Sequence, residues 1–391
     1  MKVEAKKLEL NPQTNALVFG LMAVGLLSFV AGLLTDAPRI WRAYLLHHTL
    51  FMGFSIGAAF FLVVHYLSSS GWVVAVRRVV EAMTNYFLAS IAFTVVLFFG
   101  LGKIYPWMDH AFMGSDHLLH HKEGYFSLGF FVIRALFFFA VVAFLSQKMI
   151  CNSLSQDTEG GVERTNKQKT LSAIFLVTFA PLFTVFSVDF IKSLEPKWFS
   201  TMFGVYVFIG FVQASIAMMI LIINMLRRHG YLSIVKDDHY HDLGKYMFGF
   251  TIFWAYIGVS QYLLIWYANI PEETTFYLAR EVNGWLPVSI ALPVVRFVLP
   301  FLLLLPRGAK RCSKYLGAVA CLVIFGEWLD LNYLVMPTYF PQGFSVGWQD
   351  IGMFLGFLGF FAFFVRKFLA KNATVPVKDP YLHESVHHHV M

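Results

Sequence analysis

Five ionisable side chains lie within long apolar stretches of the 391-residue sequence: Arg134, Asp189, Arg296, Glu327 and Asp330. A charged group inside hydrocarbon costs about 3 kcal/mol or more, so such residues are usually paired or functional. Glu327 and Asp330 are three residues apart, which places both carboxyl groups on one face of a helix. With an arginine nearby, the pair could form a buried acid–base group that handles protons or a polar ligand.

The positions of these residues along their predicted helices indicate a similar depth for four of them. Because a helix rises about 1.5 Å per residue, Asp189, Glu327, Asp330 and Arg134 all fall near the same membrane surface. We expect the three carboxylates, with Arg134 as counter-charge, to form one polar pocket or proton path. Arg296 lies nearer mid-depth and would continue or cap that path. Ion pairing that only fastens helices together is the alternative, and the sequence does not separate the two.

His47 and His48 open the second apolar stretch at its outer end, where they are further candidates for the same path. A haem held by two histidines needs them on facing helices at matching depth. Only the second stretch carries histidines in its body, so no haem is expected in this chain. The three cysteines, Cys151, Cys312 and Cys321, form no CxxC pair. The sequence therefore predicts neither an iron–sulfur cluster nor another metal site in this chain.

The elements that position these residues are predicted to be transmembrane helices. The sequence is 58% hydrophobic and 14% charged, a composition that excludes a water-soluble domain of this length. A membrane span needs about 20 mostly apolar residues. Ten stretches meet that requirement: 15–34, 44–67, 83–102, 127–147, 170–192, 199–226, 245–268, 284–305, 314–337 and 349–369. We therefore expect an all-α, polytopic integral membrane protein.

The basic residues predict the orientation of these spans. Of the 30 lysines and arginines, two lie within spans, 21 fall in loops on the side of the two termini, and seven fall on the other side. By the positive-inside rule, both termini should be cytoplasmic. The net charge of +7 comes from these short loops, which excludes nucleic-acid binding as its explanation.

The two longest connections differ in character. The outer segment 103–126 is rich in aromatic residues and carries His110, His117, His120 and His121, a composition that favours a docking surface for a partner. The inner segment 148–169 is polar and contains adjacent glycines, which predicts a flexible link between two halves.

Four regions follow from these spans and connections. We expect an N-terminal tail and peripheral helix over 1–43, and a first four-helix bundle over 44–192. A second four-helix bundle should follow over 193–340. A peripheral tenth helix and a cytoplasmic tail complete the chain over 341–391.

Five segments carry a resemblance to a known family. The longest is HDLGKYMFGFTIFWAYIGVSQYLLIWYANIPEE, residues 241–273. The others are GWVVAVRRVVEAM (71–83), KWFSTMFGVYVF (197–208), IGMFLGFLGFF (351–361) and DPYLHESVHHHV (379–390). Together they resemble the large membrane subunits of bacterial alternative complex III, a quinol:cytochrome c oxidoreductase. Those subunits are related to the polysulfide-reductase (NrfD-like) type of membrane anchor.

The resemblance implies two four-helix bundles with two peripheral helices in the bacterial inner membrane. It implies contact with quinone or quinol, but no redox centre in the chain itself. Haem c and iron–sulfur clusters would belong to partners, namely c-type cytochrome subunits, an iron–sulfur subunit and a sister NrfD-like membrane subunit. The expected role is a scaffold with a proton-conducting or quinone-contact function. A free-standing multipass transporter that holds its substrate with Arg296 is the alternative.

Overall fold

The computed structural model describes residues 6–390 and contains ten long apolar helices among them. The helices are α1 Pro12–Thr35, α2 Ala37–Leu67, α3 Arg77–Phe98, α4 Leu128–Glu159, α5 Val162–Leu194, α6 Phe203–Arg228, α7 Asp237–Ala268, α8 Leu286–Leu304, α9 Ser313–Val335 and α10 Trp348–Lys371. Each is long and apolar enough to cross a bilayer. The predicted all-α, polytopic membrane fold is confirmed.

Successive helices run in alternate directions, so the bundle has two distinct ends. The backbone N–H of Leu8 donates to the Leu369 carbonyl at 3.0 Å, which places the start of α1 beside the end of α10. We call this the tail end, because it carries residues 372–390, and we call the opposite end, with residues 103–126, the loop end. Both ends of the described chain lie at the tail end. Met1 and Met391, whose location was predicted, lie outside the described residues.

α2 and α6 form the centre of the bundle and are its most buried helices. Ser215 on α6 donates a hydrogen bond to the Phe54 carbonyl on α2 at 2.8 Å. Gly57 permits this approach, because a Cβ there would lie 2.6 Å from the Phe211 carbonyl oxygen. The surrounding helices pack on this pair, which leaves α1 mainly on the outside, against α10. The centre is therefore fixed by backbone proximity as well as by apolar packing.

The predicted flexible link at 148–169 is wrong. α4 continues to Glu159 and α5 begins at Val162, so the turn consists of two glycines, both with positive φ. The polar residues of this segment bond across the two helices instead of entering a loop. Asn152 donates to Gln168 at 2.7 Å, and Gln156 donates to Thr165 at 2.9 Å. Paired in this way, polar side chains extend both helices beyond their apolar parts.

α3 begins six residues before the predicted span 83–102, because the charged residues at its start are buried and paired. Arg77 forms an ion pair with Asp379 of the C-terminal tail. Arg78 is fully buried and pairs with Glu81 on the next turn. Sequence hydropathy counts these side chains as loop residues, whereas their partners make them part of the helix.

α8 is interrupted at its middle. Residues Val294–Val298 form a π-helical turn between Leu286–Pro293 and Leu299–Leu304. Pro293 and Pro300 flank this turn, and neither can donate a backbone hydrogen bond, which explains why the regular helix stops there. The π-turn carries Arg296, whose side chain is fully buried.

Candidate functional site

Arg296, Glu327 and Asp330 form a buried charge cluster between α8 and α9. Arg296 Nη1 lies 2.6 Å from Glu327 Oε2, and Arg296 Nη2 lies 3.5 Å from Asp330 Oδ2. The side chains of all three are at most 4% exposed. One guanidinium therefore faces two carboxylates. With both carboxylates ionised, the cluster would hold an uncompensated negative charge in a setting where such a charge is costly.

Two aromatic residues complete the surroundings of Asp330. The Tyr206 hydroxyl on α6 donates to Asp330 Oδ1 at 2.7 Å, and Trp254 Nε1 on α7 donates to Asp330 Oδ2 at 2.9 Å. The Arg296 guanidinium also lies over the Trp254 ring at 4.8 Å. Neither role could be predicted from the sequence, because aromatic residues make up 18% of the chain and most only pack.

Two glycines provide the space that the cluster occupies. A Cβ on Gly210 of α6 would lie 2.7 Å from Glu327 Oε2 and 3.1 Å from Arg296 Nη2. A Cβ on Gly326 of α9 would lie 2.8 Å from Arg296 Cδ. Since contacts under about 3 Å cannot be accommodated without displacement, both positions require the absence of a side chain.

Glu327 and Arg296 attract each other without well-aligned hydrogen bonds. Among the described residues, the three guanidinium nitrogens of Arg296 and Oε2 of Glu327 have no hydrogen-bond partner of good geometry. Asp330, in contrast, is held by two neutral donors. Glu327 is thus the less constrained carboxylate, the better placed to exchange a proton or accept another donor.

A cleft of about 250 Å³ leads to this cluster from the side of the bundle. Tyr206 and Trp254 form its inner wall, and Val259 and Tyr262 on α7 form an exposed rim. Its remaining lining residues are Ala255, Gly258, Gln261, Phe276, Tyr277, Ser289, Leu292, Pro293, Phe297, Tyr333 and Leu334. The exposed apolar rim of a membrane helix faces lipid, so an apolar molecule with a polar ring could enter from the bilayer.

Arg134 and Asp189 form a separate pair, and the predicted single pocket with Arg134 as shared counter-charge is wrong. Arg134 Nε and Nη2 bond the two carboxylate oxygens of Asp189 at 2.8 and 2.9 Å. Asp189 contacts neither Glu327 nor Asp330 among the described residues. Depth estimated from a sequence cannot tell which helices are neighbours, and here α4 pairs with α5 while α8 pairs with α9.

The Arg134–Asp189 pair is balanced in charge and well bonded. The Tyr125 hydroxyl also donates to Asp189, at 2.9 Å, and the Arg134 guanidinium lies 3.9 Å from the centre of the Tyr125 ring. A bidentate pair with an additional donor leaves little unsatisfied. We interpret it as the fastening between α4 and α5, which is the purely structural role that buried charges can also have.

His47 and His48 do not open α2 at the surface. The helix begins at Ala37, so both lie about three turns inside it and are buried. His47 accepts a hydrogen bond from Trp328 Nε1 at 3.1 Å, and His48 Nε2 lies 2.8 Å from the Thr94 hydroxyl. The polar residues before His47 begin the helix instead of preceding it. Trp328 follows Glu327 directly, so His47 ties α2 to the charge-bearing turn of α9.

The four histidines of the 103–126 segment are all exposed at the loop end. His117 and His121 lie one helical turn apart, with their Nε2 atoms 3.2 Å from each other. His120 lies 3.2 Å from Glu123, and His110 is at the start of the short helix His110–Gly114. Nothing in this arrangement tests the docking role, which stays a prediction.

Gly210 offers a direct test of how tightly the cluster is packed. We expect Gly210→Ala to destabilise the protein by about 1–3 kcal/mol, because the added methyl group must displace Glu327 or Arg296. Gly249→Ala is the matched control, since a Cβ on this glycine of α7 meets no atom within 4 Å. Thermal unfolding in detergent measures both, and equal midpoints for the two variants would contradict the packing described.

Comparison with known proteins adds no identity to this geometry. No protein-family model matches the sequence, and no curated protein matches it. The charge cluster, the cleft and the sequence segments themselves are therefore the basis for assigning a role to the chain.

Proposed function

We propose that this chain is a cofactor-free membrane subunit of a respiratory quinol:cytochrome c oxidoreductase of the alternative complex III type, and that its Arg296–Glu327–Asp330 cluster carries protons. The observation that carries the proton role is one buried guanidinium facing two buried carboxylates. Membership of the complex rests on the five sequence segments, whose likeness is greatest to ActF, the second of the two large membrane subunits.

The proton role follows from counting charges. One arginine balances one carboxylate, so binding a single proton makes the cluster electrically neutral and releasing it restores a negative charge. Such a change is what a relay must undergo in each cycle. The Tyr206 hydroxyl lines the cleft and donates to Asp330, so it can pass a proton between the cleft and that carboxylate. Glu327 then exchanges the proton across the shared arginine.

Contact with quinone is a second candidate role, favoured by the cleft. The cleft combines an apolar, aromatic lining with a few polar groups, as sites for drug-sized ligands usually do. Tyr206 and Gln261 are the polar side chains nearest its interior and rim. A quinol ring oxidised there would release its protons beside Asp330. This role and the relay use the same residues and differ in where the proton originates.

Partners and cofactors follow from the proposed complex. Haem c and iron–sulfur clusters would be held by c-type cytochrome and iron–sulfur subunits, and a sister NrfD-like subunit would lie beside this chain in the membrane. The exposed histidine segment 103–126 is the proposed docking surface for an extrinsic subunit. A free-standing transporter is the competing role, to which the interrupted α8 lends support. Copurification of multihaem cytochromes favours the complex, whereas solute movement by the isolated chain in liposomes favours the transporter.

The relay makes a prediction about the two carboxylates. Replacing Glu327 with Gln and Asp330 with Asn should leave the complex assembled, because both side chains keep their shape. Quinol-driven turnover or proton release should fall about tenfold or more, since the proton-binding groups are gone. The exposed Glu163, changed to Gln, is the control. Normal turnover and proton release in the assembled double variant would reject the relay.

The docking surface makes a prediction about the complex. His117→Ala with His121→Ala should lower the yield of the cytochrome subunits that copurify after gentle extraction. His383 and His387 provide a matched control, because they form a similar exposed pair one turn apart at the tail end, with ring centres 4.2 Å apart. Equal yields from the two double variants would count against docking at the loop end.

The proposed orientation places the tail end in the cytoplasm of a bacterial inner membrane, on the strength of the lysine and arginine distribution. A single cysteine at Glu163, which is exposed beside the two-glycine turn, should resist labelling by membrane-impermeant reagents in intact cells. The background requires Cys151, Cys312 and Cys321 to be replaced by serine, since all three are exposed. Labelling from outside would mean that the orientation is inverted.

A further inference from the structure

A second cavity, of about 530 Å³, opens at the loop end and is distinct from the cleft. Three lysines from different segments line it. Lys122 comes from the 103–126 segment, Lys192 from the last turn of α5 and Lys197 from the connection to α6. Three segments thus converge to bring positive charges around one cavity, although they are far apart in the sequence.

The three lysines differ in how well they are satisfied. Lys197 forms an ion pair with Asp116 at 2.7 Å, and Lys122 donates to the Pro196 carbonyl at 2.9 Å. Lys192 has no hydrogen-bond or ion-pair partner among the described residues, although it is half-buried. Burial lowers the pKa of Lys122, with Asp116 acting in the opposite direction. The cavity therefore lacks an anion that would compensate Lys122 and Lys192.

The other wall and the rim of the cavity narrow the choice of that anion. Glu272 and Glu273 line the cavity but form no ion pair with its lysines. Carboxylates accept hydrogen bonds from hydroxyl groups and repel a second anion. Leu118, Phe199 and Ile270 are exposed apolar residues that also line it. A fitting ligand therefore has a phosphate, hydroxyl donors and an apolar part.

The position of the cavity agrees with a lipid. Lys192 closes α5, and Ile270 follows the end of α7 at Ala268 by two residues. Both helices end there, so the cavity lies at the level where hydrocarbon meets water and where phospholipid headgroups reside. We propose that this cavity binds the headgroup of an anionic glycerophospholipid, with the phosphate at Lys122 and Lys192 and the headgroup hydroxyls at Glu272 and Glu273. Leu118, Phe199 and Ile270 contact its acyl chains.

The test uses the full chain with its accompanying subunits, extracted in gentle detergent and incubated with phosphatidylglycerol or, at the same concentration, phosphatidylcholine. Native mass spectrometry measures the bound lipid. Phosphatidylglycerol should bind more tightly to the natural protein, and Lys122→Gln with Lys192→Gln should weaken it about 25-fold. That figure assumes about 1 kcal/mol for each basic residue at an anionic headgroup, which is about fivefold per lysine. Lys103→Gln, at an exposed lysine of the same end, should change nothing.

Further measurements distinguish a bound lipid from free phosphate and from a protein partner. Lys192→Arg keeps the positive charge and should keep the preference for phosphatidylglycerol, which guards against a variant that only misfolds. Displacement of the lipid by an equal concentration of inorganic phosphate would assign the site to free phosphate and overturn the proposal. Unchanged lipid binding in the double variant, accompanied by loss of a copurifying subunit, would assign the cavity to a protein partner and overturn it as well.

Discussion

Arg296 carries one positive charge and contacts two buried carboxylates, and the packing around it follows from that ratio. A guanidinium in the interior of a membrane bundle needs an anion, and Glu327 supplies one at 2.6 Å. The second carboxylate, Asp330, is stabilised by neutral donors from two further helices. α6, α7, α8 and α9 are therefore all committed to one cluster. The glycines at 210 and 326 follow from the same constraint, because the charged side chains fill the space of their missing Cβ atoms.

The charges elsewhere in the bundle are distributed differently. Arg134 and Asp189 balance each other with two short hydrogen bonds. Arg280, fully buried near the loop end, bonds Glu195 at 2.7 Å and two carbonyl oxygens of the Tyr333–Leu334 turn. These pairs are neutral and satisfied, as expected of interactions that hold helices together. Among the described residues, the Arg296 cluster combines an excess carboxylate, incomplete hydrogen bonding and a neighbouring cleft, and these features favour it as the place of the proposed chemistry.

Much of the fold could be predicted from hydropathy, since a stretch of about 20 apolar residues has few alternatives to a membrane helix. All five buried ionisable residues were also visible as charges within apolar stretches. Their pairing was not, because depth along a helix says nothing about which helices are adjacent. Polar helix ends were missed at 148–169 and at Arg77, where side chains on other segments satisfy the charges. Tyr206 and Trp254 left no trace in a sequence with 43 phenylalanines and many other aromatic residues.

A proton relay at the Arg296 cluster must change its protonation during turnover. Infrared difference spectroscopy of the assembled complex, reduced with quinol and then reoxidised, observes this change through the C=O stretch of a protonated carboxyl group. A carboxyl band should appear in one redox state and disappear in the other, and it should be lost when Glu327 is replaced by Gln or Asp330 by Asn. A spectrum without such a band, or with a band that persists in both variants, would contradict a relay at this cluster.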